Sequence, residues 1–129
     1  VVTAPLPLLM SEWADNDFYL SAESSSIEGR WKCYPYQIAI LNWMGNDNIR
    51  TFTWRKSART GYTKCLLICT GYNASHRKRN QLIYQPTDSD GADFVRDEVN
   101  PVLRDVLSVR RQMKCNPEVK SSYNTNEKK

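Results

Sequence analysis

The sequence predicts an α/β fold, a mostly parallel sheet flanked by helices, on three observations. Past residue 48 the apolar pattern alternates between short strand-type runs and longer helix-type runs. A polar, cation-rich loop ending at Gly61 separates the first strand-type run from an almost wholly apolar helix. A second strand-type run then leads into an amphipathic helix. Length agrees with this: 129 residues, 40% of them apolar, bury one core, so one domain or a piece of one is expected.

In chain order, residues 1–31 read as an irregular N-terminal segment with a single helical turn, Ser11 capping Glu12, Trp13, Ala14 and Asp15. Ser24, Ser25 and Ser26 read as loop. Pro35 and Gly45 bracket a short helix ending at Met44. Ile49 to Trp54 favours a strand by residue type. Lys56 to Thr60 is a polar loop, and Gly61 to Tyr72, apolar on nearly every face, fits a helix buried against a sheet. Gln81 to Tyr84 reads as a short buried strand stopped by Pro86, after which Thr87 or Asp88 can cap a helix. That helix runs from Ser89 to Leu107, with Phe94, Val95, Val99, Val102, Leu103 and Val106 on its core face and a kink expected at Asn100-Pro101. Residues 32–113 then form the nucleotide-binding part, and 114–129 a polar, frayed tail.

Eighteen Lys and Arg against 14 Asp and Glu leave a net charge of +4, too small an excess to identify a polyanionic partner. Cys65 and Cys69 form one close pair with no second pair to complete a zinc knuckle, and they sit in an apolar run suited to core packing. Val1 to Met10 lacks a basic n-region and is too short to span a bilayer, so no membrane role and a reducing cytoplasm are expected.

Chemistry concentrates in Lys56-Ser57-Ala58-Arg59-Thr60-Gly61-Tyr62-Thr63-Lys64, between the first strand and the helix that follows. Backbone N–H groups and the helix dipole favour anions there. Against the standard P-loop spacing, Gly61 and Thr63 occupy the second glycine and the hydroxyl position, Lys56 stands where the first glycine belongs, and Tyr62 replaces the lysine. One glycine for close approach, one hydroxyl for Mg²⁺ and one cation that reaches the phosphates are nevertheless present. The fold expected is therefore a partial P-loop NTPase-type domain.

A P-loop with its lysine displaced to the first position resembles that of the terminase large subunits of lambda-like tailed phages. The resemblance extends over roughly residues 12 to 107 through Glu12-Trp13-Ala14-Asp15, Glu28-Gly29-Arg30-Trp31, Pro35-Tyr36-Gln37, the loop itself, Pro86-Thr87-Asp88 and Pro101 with Arg104-Asp105. It implies an ATPase of the DNA-packaging motor in the host cytoplasm, using Mg²⁺ with ATP, with double-stranded DNA, the terminase small subunit and the portal as partners. It implies that Lys56 is the displaced phosphate-binding lysine, Thr63 the Mg²⁺-side hydroxyl and Gln37 the reader of the adenine edge, with Arg59 and Lys64 as further cations. A family tyrosine is Ser26 here, and Arg55 stands in a strand that is apolar in relatives.

The acidic residues that complete such a site are not evident. Asp97-Glu98 is the one Asp-Glu pair after apolar residues, and it sits in helical periodicity, so the Walker B acid and the nuclease domain are expected beyond Lys129. Arg77-Lys78-Arg79 is the densest positive patch and a candidate for weak, sequence-indifferent DNA contact. The other reading left open is a non-catalytic prophage relic or fragment with at most weak DNA or protein binding.

Overall fold

The computed structural model describes residues 7–114. Its first helix, α1 (Met10–Asp17), is two turns rather than the single turn expected. Ser11 does not cap it. The Glu12 carboxylate accepts the Leu9 N–H at 3.1 Å, while the Ser11 N–H and hydroxyl both donate to Asn42 Oδ1, at 3.3 and 2.8 Å. Ser11 thereby ties α1 to α2 (Pro35–Met44). That second helix has the bounds its proline and glycine set, and α3 (Tyr62–Ser75) runs one turn beyond the expected end.

Trp13 is the centre of the packing. Its ring is 1% exposed, lies edge-on to Tyr72 with centroids 6.0 Å apart, and tilts against Phe18 at 6.4 Å. Phe18 in turn meets Trp31 edge-on. The aromatic cluster therefore carries the core across residue 31, where the N-terminal segment was expected to be irregular. Gly71 on α3 makes room for the indole: a Cβ there would stand 2.9 Å from Trp13 Cη2. Gly71→Ala should accordingly lower the melting temperature. The helix gains up to about 1 kcal/mol from the better helix former, but overpacking against an immobile ring costs roughly 1–3 kcal/mol.

The only sheet among the described residues is antiparallel, pairing β1 (Tyr19–Leu20) with β2 (Gly29–Arg30). The mostly parallel sheet expected from the sequence is not formed there. Residues 49–54 and 81–84 have strand-type side chains but no ladder. A strand is stabilised by a neighbour about 4.8 Å away that takes up its N–H and C=O groups, and neither run meets one. Gln81 to Tyr84 consequently lies on the surface, with Leu82 74% and Tyr84 84% exposed. Arg55 is exposed too, and so avoids the burial its place in a core strand would have imposed.

The long C-terminal helical run is α4 (Asp88–Phe94), a π-helical turn (Val95–Val99) and α5 (Asn100–Asp105), followed after Val106 by α6 (Leu107–Lys114). Thr87 caps α4, its Oγ1 accepting the Asp90 N–H at 3.1 Å. The expected break at Asn100-Pro101 takes the form of the π turn. Pro101 has no N–H for the carbonyl four residues back, and wider pairing, with the Asn100 N–H donating to the Val95 carbonyl, carries the helix past it. Val102, Val106 and Val109 are buried in the common core. The sequence pattern did not point to α6. From Cys115 on, the expected polar tail lies outside the described residues.

Candidate functional site

The loop expected to hold phosphates is closed by two left-handed residues, Arg59 at φ 58° and Gly61 at φ 79°, with Thr60 Oγ1 donating to the Ser57 carbonyl at 3.4 Å. Gly61 is the N-cap of α3, and no side chain caps that end. The first-turn N–H groups of a 14-residue helix are thus left without a side-chain acceptor, and the positive end of its dipole faces the loop. Ser57, Ala58, Arg59 and Tyr62 are exposed, and Thr63 is half-buried in the first turn. Lys56 is exposed, its Nζ 5.0 Å from the centroid of the Tyr62 ring. Trp54 packs edge-on against the same ring at 5.4 Å.

Gln37 meets this loop from below. It is only 2% exposed, and its Oε1 accepts the Tyr34 N–H at 3.0 Å at the start of α2. Its Nε2 stands 3.5 Å from both the Thr60 carbonyl and Tyr36 Oη, and a Cβ on Gly61 would lie 2.9 Å from it. The Tyr36 hydroxyl also donates to the Thr60 carbonyl, at 3.2 Å. Position 61 is therefore restricted to glycine twice over, by its φ and by this close approach. The amide is thus hydrogen-bonded within the chain. Its observed work is to brace the loop from α2.

Lys64 is likewise occupied. Its Nζ donates to Glu98 Oε2 at 2.8 Å and to the Ser24 carbonyl and hydroxyl at 2.6 and 3.0 Å, joining α3 to the serine-rich loop and the π turn. Glu98, one half of the acidic pair considered for metal binding, is thus the partner of Lys64, and Asp97 is paired with Arg96. Sequence reasoning missed the roles of Ser24 and Glu98, which lie 40 and 34 residues from Lys64.

The positive patch is partly neutralised. Arg77 and Arg79 both bind Asp47, at 2.9 and 2.6 Å, and Arg77 also covers the Tyr72 ring, whereas Lys78 is exposed in a left-handed conformation. Hydrogen bonding from Arg79, with Arg77 beside it, holds the Asp47 carboxyl below the usual carboxylate range. Because the lowered group stays ionised at neutral and mildly acid pH, the clamp persists there and is lost only as pH falls through that lowered value. Asp47→Asn should remove the shared carboxylate charge at pH 7, releasing Arg79 while Arg77 keeps its contacts with Tyr72. Non-specific duplex binding, followed by fluorescence anisotropy against salt, should then strengthen, with a salt slope steeper by up to about 2.

Residues 25–129 match the family described as phage terminase large subunit gpA, ATPase domain. The chain belongs to this family. Among the terminase relatives, the large subunit of Enterobacteria phage P21 is 50% identical over 102 residues, covering 79% of this chain and 16% of that protein. The terminase large subunit of Escherichia phage lambda is 47% identical over 105 residues, 81% of this chain and 16% of that protein. Protein TfaD of Escherichia coli (strain K12) is 49% identical over 43 residues, 33% of this chain and 23% of that protein. No solved structure matches. The chain therefore spans about a sixth of the length of its terminase relatives. Membership of the terminase ATPase family implies a P-loop-like fold and nucleotide use. Among the described residues no helix is long and apolar enough to cross a membrane.

Proposed function

We propose that Lys56 to Thr63 is the phosphate-binding loop of a DNA-packaging ATPase and holds ATP with Mg²⁺. The observation that carries this reading is the uncapped N-terminus of α3, reached through left-handed Gly61 and flanked by the exposed Lys56. Backbone N–H groups there would take the phosphate oxygens, and Lys56, free to leave the Tyr62 face, would reach the outer ones. The Thr63 hydroxyl, with no side-chain partner among the described residues, fits the Mg²⁺ side. The metal would neutralise charge on the β- and γ-phosphates. Arg59 is the second available cation, exposed at the turn of the loop.

Roles for Gln37 and Lys64 shift in this reading. Gln37 braces the loop through Thr60 and Gly61 instead of reading adenine, and Lys64 anchors α3 to Ser24 and Glu98. Double-stranded DNA, the terminase small subunit and the portal are partners of the longer protein in this reading, acting in the cytoplasm of the bacterial host. Calorimetric titration of the chain with ATP·Mg²⁺ tests the proposal. Binding that falls at least about tenfold in Lys56→Ala supports it, as expected for loss of one charge-assisted phosphate contact. Equal affinity for wild type and variant would remove the loop from the account.

A further inference from the structure

At the C-terminal end of α3, Tyr72 and His76 stand one helical turn apart on the same face, their rings stacked with centroids 5.2 Å apart. Together they grip the backbone of one residue, Leu8, in the segment that leads into α1. The Leu8 N–H donates to His76 Nε2 at 3.1 Å, and the Tyr72 hydroxyl donates to the Leu8 carbonyl at 2.6 Å. We propose that His76 is a pH-gated latch, which fastens residues 7–9 to α3 while its ring is neutral and loosens them when the ring takes up a proton.

The polarity of the bond carries this. An imidazole nitrogen accepts a hydrogen bond only while it carries no proton, and the imidazolium donates from both nitrogens. Protonation would set an Nε2–H against the Leu8 N–H, donor facing donor. Neither neighbour of Leu8 offers a substitute: Pro7 has no N–H, and the Leu9 N–H is taken by the Glu12 carboxylate at 3.1 Å. Histidine ordinarily changes charge between about pH 5 and 8, and His76 is the single histidine of the chain.

The surrounding charges are few. α3 itself supplies Arg77, whose Nε donates to the Tyr72 hydroxyl at 3.2 Å and whose guanidinium covers the Tyr72 ring. The loop after α2 supplies Asp47, bonded to Arg77 at 2.9 Å and held below the usual carboxylate range by Arg79 and Arg77. α1 supplies Glu12, α2 has no charged residue, and Arg110 and Arg111 of α6, which packs along α3, are exposed. Carboxylate, phenol and guanidinium groups ordinarily keep one charge state from about pH 5.5 to about pH 8, so the imidazole is the group that changes. The Tyr72 hydroxyl holds the Leu8 carbonyl at either charge, and Met10 and Trp13 are buried, so the segment loosens without α1 leaving the core.

The experiment follows Leu8 amide exchange by NMR on the isotope-labelled 129-residue chain, as a protection factor corrected for the intrinsic effect of pH, together with the His76 ring signals. His76→Gln and His76→Leu are measured alongside, each checked for its fold by circular dichroism. In wild type, protection should fall at least about tenfold between about pH 8 and about pH 5.5, in step with the ring, as expected for losing one hydrogen bond and stranding its donor. His76→Gln, whose side-chain oxygen can accept in place of Nε2 and does not titrate, should stay within about threefold over the same range. His76→Leu should sit near the low-pH level of wild type throughout. A ring still neutral at about pH 5.5, protection that holds while the ring titrates, or a fall that persists in His76→Gln would overturn the proposal. If His76→Leu does not fold, the wild-type titration and His76→Gln decide the matter.

Discussion

Trp13→Ala is expected to destabilise the chain by about 3–5 kcal/mol, the range for removing a fully buried aromatic ring from a core that closes only partly over the gap. The ring is 1% exposed and packs against Phe18 at the end of its own helix and against Tyr72 and Gly71 of α3, so no single movement refills its volume. Small domains are stable by only about 5–15 kcal/mol, so the variant should lose most of its margin. Urea unfolding followed by circular dichroism gives the value. A midpoint within error of wild type would mean that α1 does not pack on α3 as described.

Lys64→Met is expected to cost roughly 1–3 kcal/mol, since it keeps the aliphatic stem but leaves the Glu98 carboxylate and Ser24 without their cation. The pair is 16% and 27% exposed, well short of free solvent, which places it above the surface ion pairs such as Arg96 with Asp93. Glu98→Gln in the Lys64→Met background should recover part of the loss, because it removes the stranded charge. A double-mutant cycle showing no coupling would make the contact incidental.

Local signals in the sequence were read well where they act within a few residues. Pro35 and Gly45 bound α2, Thr87 caps α4, and the apolar run from Gly61 announces α3. What failed depended on distant partners. Ile49 to Trp54 and Gln81 to Tyr84 have strand chemistry, but ladder formation is a property of two segments, and neither finds its neighbour among the described residues. Asp47 reaches Arg77 and Arg79 over 30 and 32 residues, so the basic patch has an acidic partner that no local pattern announces. In the candidate site, the polar loop ahead of α3 and the glycine that starts the helix were legible in the sequence. The enclosure of Gln37 and the occupation of Lys64 were not, because both follow from how α2, the serine loop and the π turn converge on α3.

The central claim, that Lys56 to Thr63 binds nucleotide phosphates while Lys64 serves the fold, is tested most directly with inorganic triphosphate and Mg²⁺, which has no base to confuse the result. Titrated by calorimetry, Lys56→Ala should lose at least about tenfold in affinity with its stability unchanged. Lys64→Met should bind within about threefold of wild type at a temperature where it remains folded, although it unfolds at lower urea. The opposite pattern, undiminished binding in Lys56→Ala and abolished binding in folded Lys64→Met, would contradict the account.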